Sequence, residues 1–415
     1  MNARERFHEI MAFNTSVRTL KYEYAYWGET LNRWYSEGLP RNHFIELPKE
    51  IVTPTSSLYL YAFNTNRKKI GQGVIPNGLA LFGGGVYWPT QGLPKERDAE
   101  AFFGMDEGIR LVDVNQLFYP MFEPKTLSED EEELIYTDID GIKRVYRKIE
   151  STMPTPLHWI VSDRASWEQL KRERLRKEDI EKRLPSNWLS IVREYASRGY
   201  PLTLGGYPHG FFGLPAHLMG YEKLFLCYYD DPAMIHDILG TFTDIWLSLW
   251  EIITSVVEVD MIQIFEDVSM NKGSMVSPAV FEEFMTPYYR RVADFAKAKG
   301  IKHIFVDTDG NCEALIPLFL DAGVNGLYPM EASVGMDVRK ARKDFPTLKM
   351  MGGISKYAIA KGEEDAQRAL ATARELLQYG GYIPFVDHSV PSFVSWEAFS
   401  AYRAELNKAI DAYEA

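Results

Sequence analysis

Cysteine is nearly absent from this chain: Cys227 and Cys312 are the two thiols among 415 residues. That excludes a disulfide framework, and the lack of CxxC or Cys/His spacing excludes a structural zinc site. A reducing compartment, the cytoplasm, is expected. A basic surplus is missing too, since 46 Lys and Arg face 58 Asp and Glu for a net charge of −12. Nucleic acid and anionic membranes attract the opposite sign, so neither is an expected partner. Long apolar runs are also missing. The most apolar stretch, IWLSLWEIITSVVEV (245–259), contains Glu251 and Glu258, is short for a bilayer, and reads as a buried helix. The N-terminal MNARERFHEIMAF mixes both charge signs with an apolar face, which predicts an amphipathic helix rather than a signal peptide. Neither FGGGVYW (82–88) nor LGGYPHGFFG (204–213) has the spacing of a phosphate-binding loop, so no nucleotide cofactor is expected.

What the chain does have is a series of short apolar runs in its second half, each tipped by a carboxylate or an imidazole: MIQIFED (261–267), HIFVDTD (303–309), NGLYPME (325–331) and GGYIPFVDH (380–388). Runs of this length between helical patterns predict strands buried on both faces, as in a parallel sheet. Parallel neighbours share a C-terminal edge, which gathers Glu266, Asp267, Asp307, Asp309, Glu331, Asp387 and His388. That edge is where α/β proteins do chemistry. The spacing of the tips through Gly353 suits successive units of a (β/α)8 TIM barrel, and one barrel domain over 1–415 is expected.

Composition changes near residue 185. The part before it is rich in turns and charges, with 60–160 read as insertions and ELIYTDIDGIKRVYRKI (133–149) as a β-hairpin turning at Asp140-Gly141. After it, SPAVFEEFMTPYYRRVADFAKAKG (277–300) predicts a helix capped by Ser277 and closed by Gly300.

Several segments together resemble the uroporphyrinogen decarboxylase superfamily: GYEKLFLCYYDDPAMIHDIL (220–239), FED, VDTDGN, YPMEASVGMDV, MMGGISK followed by AKG, and GGYIPFVDHSVP, with RERF, YWGETLNRWYSEGLP and FYPMFEPKTLSEDEE near the start. The resemblance implies a (β/α)8 barrel with its site at the C-terminal mouth, often as a homodimer. It also names two chemistries. The decarboxylases hold a polycarboxylate porphyrinogen with an RQAGR-type motif, whereas the matching stretch here, YEYAYWGETLNRWY (22–35), offers Arg33 alone. The methyltransferases bind zinc through His-x-Cys and a later Cys, whereas this chain has Asp307-Thr308-Asp309 and Asp387-His388 in those places. An oxygen-rich set is left. The expected function is transfer of a methyl group from a small substrate to a corrinoid protein. The alternative is decarboxylation of uroporphyrinogen or a smaller acid, and the third reading is a non-catalytic binding barrel.

Asp307, Asp309, Glu331, His388 and Glu266 are the expected catalytic residues. Asp307, Glu331 and His388 are also candidate ligands of a divalent metal such as zinc. Without a metal, the crowded carboxyls raise one another's pKa and leave one as a general acid. Trp27, Arg33, Tyr207, His209, Asp267, Gly353 and Asp387 are expected to contact substrate. Blander readings stand beside these: Asp309 as a turn residue, Glu331 in an ion pair with Arg339 or Lys356, Cys312 as a small buried hydrophobe, and His303, at the opposite strand end, as structural.

Overall fold

The apolar runs form strands because they have no polar face to give to water, and the structure buries them on both sides. It is a computed structural model that describes residues 1–43, 68–69, 72–75, 77, 80–81, 97–148 and 153–413. The turn-rich runs at 64–73 and 76–85, and much of the 60–160 region's first half, lie largely outside the described residues. Strand β1 is Arg110–Leu111. An antiparallel sheet follows, formed by β2 (Lys125–Glu129), β3 (Glu133–Thr137), β4 (Lys143–Arg147) and β5 (Thr155–His158). Then come β6 (Leu202–Gly205), β7 (Met261–Phe265), β8 (Ile304–Asp307), β9 (Gly326–Met330), β10 (Lys349–Ile354) and β11 (Tyr382–Val386).

Strands β1 and β6 to β11 make a curled sheet of seven parallel strands, in the order β11-β10-β9-β8-β7-β6-β1. Each strand neighbours the next one in the chain, with helices making the crossovers that parallel pairing requires. All residues of β8 to β11 are buried, as in a sheet covered on both faces. An extended segment, 19–27, runs beside β11. Thr19 Oγ1 donates to Tyr382 O at 2.8 Å, Val390 N to Ala25 O at 2.8 Å, and Tyr26 bridges Val390 in parallel. Near the other edge, Asp106 N donates to Lys21 O at 3.0 Å, four residues ahead of β1.

The expected hairpin is β3 and β4, registered Glu133 to Arg147 and Thr137 to Lys143. Gly141 turns it at φ 77°, a value costly for a residue with a Cβ, and donates N–H to Asp138 O at 2.9 Å. Sequence periodicity did not show that the hairpin belongs to a four-stranded sheet. The helix expected at 245–259 belongs to Pro232–Thr254 and stops five residues early. Ile238, Phe242, Trp246 and Trp250, four apart, form its buried stripe, and both indoles donate to Gln116. Among the described residues no helix is long and apolar enough to cross a membrane. The helical stretch from Ser277 begins and ends as expected, with Gly300 at φ 72°, but a π turn spans Phe281–Met285. Pro287 follows directly and has no N–H to continue the α ladder.

Candidate active site

The C-terminal ends of β7 to β11 bring five carboxyls, one imidazole and one lysine into a single network. Asp307 is the last residue of β8 and is 1% exposed. Gln263 Nε2 reaches its Oδ2 at 3.4 Å, and Tyr328, the register partner of Asp307 on β9, lies beside the same carboxyl. Burial first, and then the charge of Asp309, push this carboxyl well above the usual range, which favours its protonated form. Asp309 lies two residues on, 3.2 Å from His388 Nε2. Partial burial disfavours both charges, yet the pairing wins: Asp309 is held below the carboxylate range and His388 is raised above its ordinary value. One carboxyl is therefore biased toward its neutral form and its neighbour toward its charged form.

Asp267 follows β7 at φ 46°, a left-handed conformation that aspartate tolerates better than most side chains. Its Oδ1 accepts Asp309 N at 3.2 Å, and burial with the Asp309 charge pushes it up to about 8. Glu331, after β9, accepts Gly310 N at 2.8 Å and Lys356 Nζ at 3.1 Å. Gly310 has φ 80° and lies so close to Ser269 that a Cβ would come within 2.4 Å of the Ser269 carbonyl oxygen. Asp387 is wholly buried after β11 and accepts Ser333 N at 2.7 Å and Lys356 N at 3.0 Å. Burial raises its pKa despite Lys356 Nζ at 3.8 Å. The Tyr24 ring completes the wall, 5.7 Å from His388 and 6.5 Å from Tyr328.

Other expected site residues have different duties. Glu266 is buried and turned away from this network: its carboxylate accepts N–H groups from Phe211 (2.9 Å), Phe212 (2.6 Å) and Gly213 (3.0 Å), and the Tyr289 hydroxyl. It caps the helix Gly213–Met219, which accounts for its chemistry without catalysis. His209 does not face substrate either. Its Nδ1 bonds Gly206 O at 2.7 Å, its ring packs on Trp246, and burial pushes it down to about 4. A Cβ on Gly353 would meet Val338 at 2.5 Å, so this glycine admits a neighbouring helix rather than a ligand. Arg33 is committed to Glu37 at 2.6 Å and to Ser392 O at 2.7 Å. Trp27 is half-buried at the start of the helix Gly28–Glu37, with its N–H on Val390 O at 3.3 Å. Tyr207 packs edge-on against Phe265, with its hydroxyl 2.8 Å from His217 Nδ1.

The tentative metal set does not assemble. Asp307 turns to Gln263 and Tyr328, Glu331 to Lys356, and His388 to Asp309. Among the described residues no three His, Cys, Asp or Glu side chains are grouped to hold an ion. Cys312 supplies no thiolate, because burial pushes its thiol up to about 12. Sequence reasoning missed Gln263, Tyr24 and Tyr328, which sit within or beside apolar runs and look like packing. It also missed Arg144, wholly buried on β4 and paired with Asp140, whose Oδ2 lies 3.0 Å from His217 Nε2.

A family model described as uroporphyrinogen decarboxylase (URO-D) matches residues 154–408. The chain belongs to the uroporphyrinogen decarboxylase family. Within the family match lie β6 to β11 and the whole carboxyl network except Tyr24. Among solved structures, this family member is similar to a methyltransferase from Methanosarcina mazei, at 17% identity and TM-score 0.45, covering 66% of this chain and 76% of that one. It is also similar to a candidate vitamin-B12 independent methionine synthase from Listeria monocytogenes, at 11% identity and TM-score 0.30, covering 54% and 69%. No protein of curated function matches the chain.

Proposed function

We propose that this chain is an acid-assisted methyltransferase of the uroporphyrinogen decarboxylase superfamily, moving a methyl group from a small substrate to the corrinoid of a partner protein. Segment 19–27 serves as the eighth stave of a closed (β/α)8 barrel, and the carboxyl network lies at its mouth. The observation that carries the reading is the buried carboxyl of Asp307, biased toward its protonated form, beside the Asp309–His388 pair at 3.2 Å. Methyl transfer from a heteroatom leaves charge on that atom, and a proton held nearby in a water-poor site offsets it. Asp307 is the general acid. Tyr328 and Gln263 orient it, and Asp309 keeps His388 charged at the rim. The reduced corrinoid enters as co-substrate and takes the methyl group.

The charge of the site argues against a porphyrinogen. A substrate with many carboxylates requires clustered cations, yet five carboxyls here face only Lys356 and His388, and Arg33 is tied to Glu37. A second reading, decarboxylation of a smaller acid, draws on the same proton, which Asp307 would deliver to the carbon that loses CO2. The test is to mix the protein with free cob(I)alamin and a panel of N- and O-methyl donors, following methylcobalamin by its absorbance, with CO2 release measured in parallel. Methylcobalamin formation supports the first reading. CO2 release without it supports the second.

A further inference from the structure

We propose that the site recognises its substrate by a protonated amine. The inference rests on reading the strand-end network as the substrate site, and three observations lead to it. The first is an imbalance of charge. Lys356 is shared by Glu331 at 3.1 Å and Asp387 at 3.8 Å, and His388 is taken by Asp309, so Asp267 and Asp307 have no ion-pair partner among the described residues. The Arg144 charge, on the insertion sheet, is met by Asp140.

The second is Gln263. It is wholly buried, its Nε2 points at Asp307, and its Oε1 accepts no hydrogen bond. A buried acceptor without a donor is costly. The third is the pair of rings, Tyr24 and Tyr328, 6.5 Å apart and beside the same carboxyls. Aromatic faces attract cations. A carboxylate or phosphate is repelled here, and an ether brings no donor to Gln263 Oε1. A protonated amine supplies the positive charge and the N–H together. Burial and the charge of Asp309 push Asp267 up to about 8, and an ammonium group beside it would favour its ionised form.

The test is calorimetric titration of the full chain, without corrinoid, with protonated amines of increasing size, from dimethylammonium to N,N-dimethylbenzylammonium. Each is compared with the neutral alcohol or hydrocarbon of the same shape. The amines are expected to bind roughly tenfold or more tightly than their neutral counterparts, the worth of one hydrogen-bonded charge. Gln263→Met should narrow the gap between an N–H cation and tetramethylammonium. Because wild-type protein gives the main comparison, a variant that fails to fold does not spoil it. Equal affinity for amine and isostere, preference for acetate, or no heat with any amine overturns the proposal. Amine binding without methyl transfer from any donor overturns the functional reading alone. Methyl transfer from a neutral ether, with no amine bound, overturns the inference alone.

Discussion

Asp309 Oδ2 lies 3.2 Å from His388 Nε2, joining the end of β8 to the end of β11 across the site. Each partner shifts the other toward its charged form. The pair is therefore complete only between two limits: it is lost as pH falls through the depressed pKa of Asp309, and as pH rises through the elevated pKa of His388. Imidazole NMR titration should place the His388 midpoint above 6.5, and Asp309→Asn should drop it below that value, because burial and the Lys356 charge then outweigh the charge of Glu331. An unchanged midpoint in the variant contradicts the pairing.

Glu266 holds three backbone N–H groups and the Tyr289 hydroxyl in a wholly buried setting. Glu266→Ala should destabilise the fold by roughly 3 kcal/mol or more, since it leaves several buried donors without an acceptor. Urea unfolding measures it. A variant as stable as wild type but inactive would return Glu266 to the catalytic set.

The opposite end of the parallel sheet carries a directed chain of hydrogen bonds. Lys349 Nζ donates to His303 Nδ1 at 2.9 Å, His303 Nε2 to His8 Nδ1 at 3.3 Å, and His8 Nε2 to Asp260 Oδ1 at 2.7 Å. This direction holds while both imidazoles are neutral. Burial, then the Lys349 charge, push His303 down to about 2 against an ordinary 6.5. The unfolded chain takes up this proton below 6.5 and the folded chain does not, so stability falls as pH drops from there toward 2. One such group costs about 1.4 kcal/mol per pH unit. Urea unfolding at pH 7 and pH 5 should show wild type losing about 2 kcal/mol more than His303→Gln over that interval. Equal losses would show that His303 is not the group that titrates.

The parallel sheet was legible because four runs were apolar throughout and ended in acids, a pattern that amphipathic helices do not make. The shared edge followed from the topology, and with it the placing of Asp307, Asp309, Glu331, Asp387 and His388. Side-chain direction did not follow. Glu266 and Asp267 are adjacent, yet the left-handed turn at Asp267 sends one to a helix N-terminus and the other to Asp309. His209, in a glycine-rich loop, was expected to contact substrate and is buried against Trp246. Lys356 was foreseen as a partner of Glu331, whereas Arg339 pairs with Glu375 instead. Gln263 and Tyr24 gave no signal, because a polar residue within a strand shows its role only once the opposite strand is in place. Asp140-Gly141 read as a turn, and the burial of Asp140 against Arg144 depends on contacts far apart in sequence.

The central claim is that Asp307 gives a proton to a leaving heteroatom during methyl transfer. The most direct measurement is the rate of methylcobalamin formation by wild type and Asp307→Asn, using one donor whose leaving atom needs a proton and one sulfonium donor that needs none. Burial favours the uncharged form of Asp307, so the amide should preserve the fold. The account predicts a loss of roughly 10²- to 10⁴-fold with the first donor and little change with the second. Equal losses with both donors, or CO2 release from uroporphyrinogen with no methyl transfer by wild type, would contradict it.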